Sequence, residues 1–201
     1  MAFELVVFYG ILSIIIGIVP SIGFVIWRFG FKRSLWYSWL LGGLFWALAL
    51  IVRAIPLIIL IYIVNLPQYI ILISMIFAGI FETAFRVLLL MLFTKYTANS
   101  KEKVIMAGFG WGTIEAIFSH TIPLIFFLLF FRGSEIMLSL DGIEYILLFG
   151  GFERLITEIF HLIMMIMVFY GIKYKLREIE ISVPIKAVSY THLTLPTILL
   201  V

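Results

Sequence analysis

Residues bearing a charge or an imidazole fall deep inside long apolar runs of the chain: Glu82, Arg86, Glu115, His120, Glu153, Arg154, Glu158 and His161. A charge at the centre of a bilayer costs about 2.5–3.5 kcal/mol on insertion scales. Such side chains face a protein interior or a wet cavity, and they mark function by default. A carboxylate removed from water holds its proton more tightly, which suits a group that passes protons. Glu82 and Arg86 stand four apart, so on a helix they share a face and can pair. Arg154, Glu158 and His161 stand at i, i+4 and i+7, again one stripe, with Arg154 and Glu158 in register to pair. Four acids against two arginines leave carboxylates over for proton transfer. His120 has only Glu115 near it, five residues back and off its face, so it reads as structural or interfacial.

The same residues set limits on metal chemistry. The chain has no Cys, which removes thiolate nucleophiles, disulfides and Cys-ligated zinc or iron–sulfur sites. A catalytic zinc usually takes three protein ligands with His prominent. Here His161, Glu82 and Glu115 would have to serve. Glu158-Ile-Phe-His161 is a Glu-x-x-His pair, but a di-metal bundle needs two of these and one is present. A divalent ion such as zinc has thin support, and the cofactor stays unassigned.

The elements that must carry these groups are membrane helices. Of 201 residues, 64% are hydrophobic and 12% charged. Soluble domains run nearer 45–50% apolar and about 25% charged, so a soluble globular fold is excluded. Disorder is excluded by the 20 Phe, 5 Trp and 9 Tyr. A helix crossing the hydrocarbon core needs roughly 20 apolar residues. Val6–Trp27, Leu35–Val52, Tyr69–Phe93, Val104–Phe131 and Ile143–Ile172 qualify. Ala54–Val64 has about half the required length and contains Pro56; it reads as a short interfacial or re-entrant segment. The expected fold is an all-α polytopic transmembrane bundle with five spans plus that segment. The start of the chain is acidic at Glu4, unlike the basic start of a signal peptide.

Basic residues orient the bundle. Arg28, Lys32 and Arg33 follow the first span, Lys95, Lys101 and Lys103 the third, and Lys173, Lys175, Arg177 and Lys186 the fifth. These are ten of the 14 Lys and Arg; Arg53 and Arg132 fall on the other side. The positive-inside rule then places the N-terminus outside and the lysine-rich loops in the cytoplasm. The net charge of +3 is no sign of nucleic-acid binding in such a chain. The expected partner is the lipid bilayer.

Depth and spacing bring the charges together. At 1.5 Å per residue, Glu82, Glu115 and His161 each lie about 16 Å from the cytoplasmic ends of their spans. Gly108 and Gly112 share a face with Glu115 and Ser119, and such a small-residue pair lets a neighbouring helix approach closely beside Glu115.

Val188-Ser-Tyr-Thr-His-Leu-Thr-Leu-Pro-Thr197 resembles the read-through translation of a transposon adapter used in sequencing libraries. On that reading residues 1–187 form one integral-membrane domain whose natural sequence continues, and residues 188–201 are a non-native tail. His192 then carries no function.

Three motifs in order resemble those of the YhfC-type membrane peptidases, relatives of the CPBP (CAAX-protease and bacteriocin-processing) glutamic intramembrane proteases. They are Gly79-Ile-Phe-Glu82-Thr-Ala-Phe-Arg86, then Gly108-Phe-Gly110-Trp111-Gly112-Thr-Ile-Glu115-Ala116, then Glu153-Arg154 with His161. The Arg53-Ala-Ile-Pro56 stretch is similar more weakly. The resemblance spans about residues 35–172 and implies peptide-bond hydrolysis within the membrane of a prokaryotic cell. The implied substrate is a membrane-embedded peptide or a lipidated protein. By position, Glu82 would be the general base, His161 would polarise the scissile carbonyl or bind a metal, and Arg86 would orient Glu82. Glu115, Glu153, Arg154, Glu158 and Trp111 would line or support the site. Two positions depart from the family: Thr83 replaces a second acid, and Trp111 replaces a His. An indole donates a hydrogen bond but accepts no proton and binds no metal. These departures keep two other readings in view: a catalytically inactive relative acting as an immunity or scaffold protein, and a proton-coupled transporter using the buried acids as a relay.

Overall fold

The computed structural model of the protein describes residues 2–64, 69–130 and 142–174. Every regular element among these residues is helical. In chain order they are α1 (Ala2–Phe29), α2 (Arg33–Val64), α3 (Ile70–Leu92), the single turn α4 (Thr94–Thr97), α5 (Lys101–Ala116), a π-helical turn (Ile117–Thr121), α6 (Ile122–Phe130) and α7 (Ile143–Tyr174). Five stretches are long and apolar enough to cross a membrane: Glu4–Phe29, Arg33–Leu60, Ile70–Leu92, Lys101–Phe130 and Ile143–Tyr174. The expected all-α bundle of spanning helices is therefore the fold.

The segment Ala54–Val64 does not form a separate re-entrant element. It prolongs α2 without a break. Pro56 removes one backbone donor from the ladder, but the strongly apolar sequence on both sides carries the helix through it. At 1.5 Å per residue, 32 residues span about 48 Å, well beyond a hydrocarbon core of about 30 Å. The excess length belongs to tilt or to projection past the core, so a second crossing is not required.

Local signals end the helices where the sequence supplies them. Gly30 adopts φ +62 at the end of α1, and its N–H bonds to the Ile26 carbonyl at 2.9 Å. That is the left-handed cap a glycine makes at least cost. Ser100 caps α5, its Oγ accepting from Lys103 N–H at 3.3 Å.

α5 is the central helix, packed between α2 on one face and α7 on the other; α3 lies against α2 and touches α7, and α1 lies along α7. Glycines set this arrangement. A Cβ on Gly108 would sit 2.9 Å from Leu162 Cα, and one on Gly112 would sit 2.8 Å from Glu158 Cα, so α7 is the close neighbour expected there. A second glycine face was not anticipated. A Cβ on Gly110 would run into the Trp39 carbonyl, and one on Gly42 into the Ala107 carbonyl. Gly108, Gly110 and Gly112 thus serve both neighbours of α5.

The lysine-rich segments gather at one end. Ser38 Oγ donates to the Tyr96 carbonyl, Lys103 Nζ to the Lys95 carbonyl at 2.7 Å, and Leu90, Thr94, Ala98, Ile172 and Lys173 line one cavity. Arg132, Lys175, Arg177, Lys186 and the tail read as residues 188–201 lie outside the described residues. The bundle is inverted relative to a soluble protein: Leu40, Leu44, Ile51, Ile55 and Ile58 of α2 face outward, while Glu82, Arg86, Glu115, Arg154, Glu158 and His161 are buried. That inversion is what a lipid solvent selects.

Candidate functional site

Three helices deliver the central cluster. Glu82 and Arg86 come from α3, Glu115 from the last turn of α5, and His161 from the middle of α7. One ligand-type atom from each of Glu82, Glu115 and His161 lies within 4.8 Å of the others, and all three residues are buried. The level predicted from helix depths is where they meet.

Arg86 joins them. Its Nη2 donates to Glu82 Oε2 at 3.2 Å and to His161 Nδ1 at 2.6 Å. A guanidinium has no acceptor, so Nδ1 must accept, and the neutral ring carries its proton on Nε2. His161 Nε2 lies 2.7 Å from Glu115 Oε2, close but off the linear hydrogen-bond direction. Arg53 Nη1 reaches Glu82 Oε1 at 3.3 Å from α2. The pattern of basic residues places Arg53 on the side opposite the lysines, whereas its side chain reaches into this site.

Trp111 is fully buried beneath this network, with the Arg86 guanidinium carbon 4.3 Å from its ring centre. That stacking is a cation–π contact and accounts for an aromatic residue at this position. Among the described residues, Arg86 Nε, Arg86 Nη1 and Trp111 Nε1 are buried donors with no acceptor. Thr83, the next residue after Glu82, is buried too.

A second group lies toward the opposite end from the lysines. Glu158 is fully buried and accepts from Ser21 Oγ of α1 at its Oε2, with Thr113 beside it. The pair expected between Arg154 and Glu158 is not formed. Arg154 instead donates to Glu153 at 3.0 Å and to Ser119 Oγ at 2.9 Å. The reason is local: Ser119 follows the start of the π-helical turn, which presents its hydroxyl to α7 while still bonding the Glu115 carbonyl. His120 stands apart from the cluster, with Nε2 3.0 Å from Ser13 Oγ, and Ser13 in turn donates to the Leu147 carbonyl. Spacing places Ser119 on the Glu115 face without pointing to Arg154, and Ser13 and Ser21 give no periodic signal at all.

Glu82, Glu115 and His161 each offer a ligand atom within 4.8 Å of the others, but a divalent ion among them would compete with the Arg86 guanidinium. Arg86 Nη2 lies between Glu82 Oε2 and His161 Nδ1, while His161 Nε2 faces Glu115. Glu82 already faces the two guanidiniums of Arg53 and Arg86, so a divalent ion would add positive charge to a buried site that holds two cations. No protein-family model, curated protein or solved structure matches this chain.

Proposed function

We propose that this protein is an intramembrane hydrolase that cuts peptide bonds within or near the membrane of a prokaryotic cell. The carrying observation is the meeting of Glu82, Glu115 and His161, from three helices, at one buried point. Glu82 is the general base. Arg53 and Arg86 hold one oxygen each and fix its direction. Glu82 takes a proton from water, and the hydroxide adds to the scissile carbonyl. The oxyanion faces Arg86 Nε and Nη1 and Trp111 Nε1, buried donors of the kind that stabilise such charge. The C–N bond then breaks, and the proton on Glu82 passes to the departing amine. Glu115 orients His161, which keeps Arg86 in place. No step requires a metal.

A second reading has one specific support. Glu82 is held by Arg53 and Arg86, Glu115 lies against His161, and an indole stands where the similar family has a histidine. A catalytically inactive scaffold would need no more than that.

New protein N-termini in membranes separate the two. Cells expressing the chain should accumulate a set of cleavage-derived N-termini that disappear with Glu82→Gln and with His161→Gln at equal membrane abundance. Identical sets for all three proteins would reject hydrolysis.

A further inference from the structure

The buried cluster is the inner end of a polar seam. At 1.5 Å per residue, Glu153, Glu158 and His161 lie about 15, 22 and 27 Å along α7 from its start, the end opposite the lysines. The outermost layer is Glu153, whose side chain keeps 20% exposure, with Arg154 bridging to exposed Ser119. The next layer is Glu158 with Ser21 and Thr113. The innermost is Glu115 against His161. Toward the lysine-rich end the seam stops. Phe45, Trp46, Leu89, Val104, Ala107, Met165 and Val168 close that side as one apolar cluster.

Two atoms in the middle layer decide what the seam carries. Glu158 Oε1 and Thr113 Oγ1 are buried and face one another, and neither has a further polar partner among the described residues. Buried polar atoms in that condition are normally satisfied by water. Arg154, itself buried, lies between them and the surface and is held from two sides.

We infer that this seam is the route by which water and protons reach the buried cluster, from the face opposite the lysine-rich end, and that Arg154 closes its mouth. The ligand class is water and hydronium, and the route stands whether or not the cluster hydrolyses peptides. Arg154 acts here through position, holding α7 against the π-helical turn; it has no reacting atom.

The chain has no native Cys, so single cysteines report directly. Ser119→Cys, Thr113→Cys and Met165→Cys proteins are placed in sealed membranes and treated with a charged methanethiosulfonate from each side; Ser100→Cys marks the lysine-rich face. Ser119→Cys should label from the opposite face. Thr113→Cys should label slowly from that same face, and about tenfold faster once Arg154→Ala removes the two polar contacts at the mouth. Met165→Cys should stay unlabelled from both sides. Where Arg154→Ala does not accumulate, Ser119→Ala removes one of the two anchors and should speed Thr113→Cys labelling to a smaller degree. Labelling of Thr113→Cys from the lysine-rich face would overturn the route. So would a folded protein in which neither second substitution changes its rate.

Discussion

On α7, the stretch from Gly150 to His161 carries two acids, an arginine and a histidine, whereas Leu162 to Tyr170 carries no charge at all. α5 repeats the contrast: Val104 to Ile114 is uncharged, and Glu115 follows. The same two helices are thus joined twice, by different means. Toward the lysine-rich end they meet through Met165, Val168, Ala107 and the glycines. Lipid tails are as apolar as these side chains, so the gain there comes from close packing rather than from escape from water. Toward the other end they meet through ion pairs and hydrogen bonds whose members cannot be changed one at a time. A packed contact loses energy in proportion to the atoms removed; a charge network fails when a single partner goes and recovers when the counter-charge goes too.

The largest expected effect follows from that asymmetry. Glu82→Gln leaves Arg53 and Arg86 facing one neutral amide. Removing one member of a buried pair costs about 3–5 kcal/mol. Thermal unfolding in detergent should show that loss, and Arg86→Met added to Glu82→Gln should return a large part of it. A double variant no more stable than Glu82→Gln alone would show that the polar half is held by shape, like the other. Met165→Ala probes the apolar half. It empties a fully buried site and should cost about 2–4 kcal/mol, with no second substitution of charge able to restore it.

The apolar half was largely readable from sequence, and the polar half only in outline. Hydropathy finds spans because an unbroken apolar run has few other uses at this length. Gly108 and Gly112 pointed to a close neighbour because small residues four apart have a direct geometric meaning. Periodicity places residues on a face but does not say which helix that face meets. Gly110 therefore gave no hint of Trp39, and Arg53 none of Glu82, 29 residues away. The register of Arg154 and Glu158 allowed a pair, yet the π-helical turn offered Ser119 and the neighbouring Glu153 offered a carboxylate. Insertion of a π-helical turn is a tertiary outcome, and nothing in Ile117–Thr121 announces it. The separate segment expected over Ala54–Val64 is absent for a related reason, since one proline inside so apolar a stretch is weaker than the run that surrounds it.

The smallest expected effect lies where the two halves touch. Trp111 belongs to the apolar cluster by its ring and to the polar network by its contact with Arg86. Trp111→Phe keeps an aromatic face under the guanidinium and removes an indole N–H that has no acceptor among the described residues. Losing an unsatisfied buried donor gains about 1–3 kcal/mol. The smaller ring opens a void that costs a comparable amount, since Phe fills less of the site. The two terms oppose, and stability should move by less than about 1 kcal/mol in thermal unfolding. Cleavage should fall all the same, because the proposed oxyanion loses a donor. A stability loss of about 3 kcal/mol or more would instead mean that the N–H is already spent on a structural partner, and Trp111 would move wholly to the packed side of the comparison.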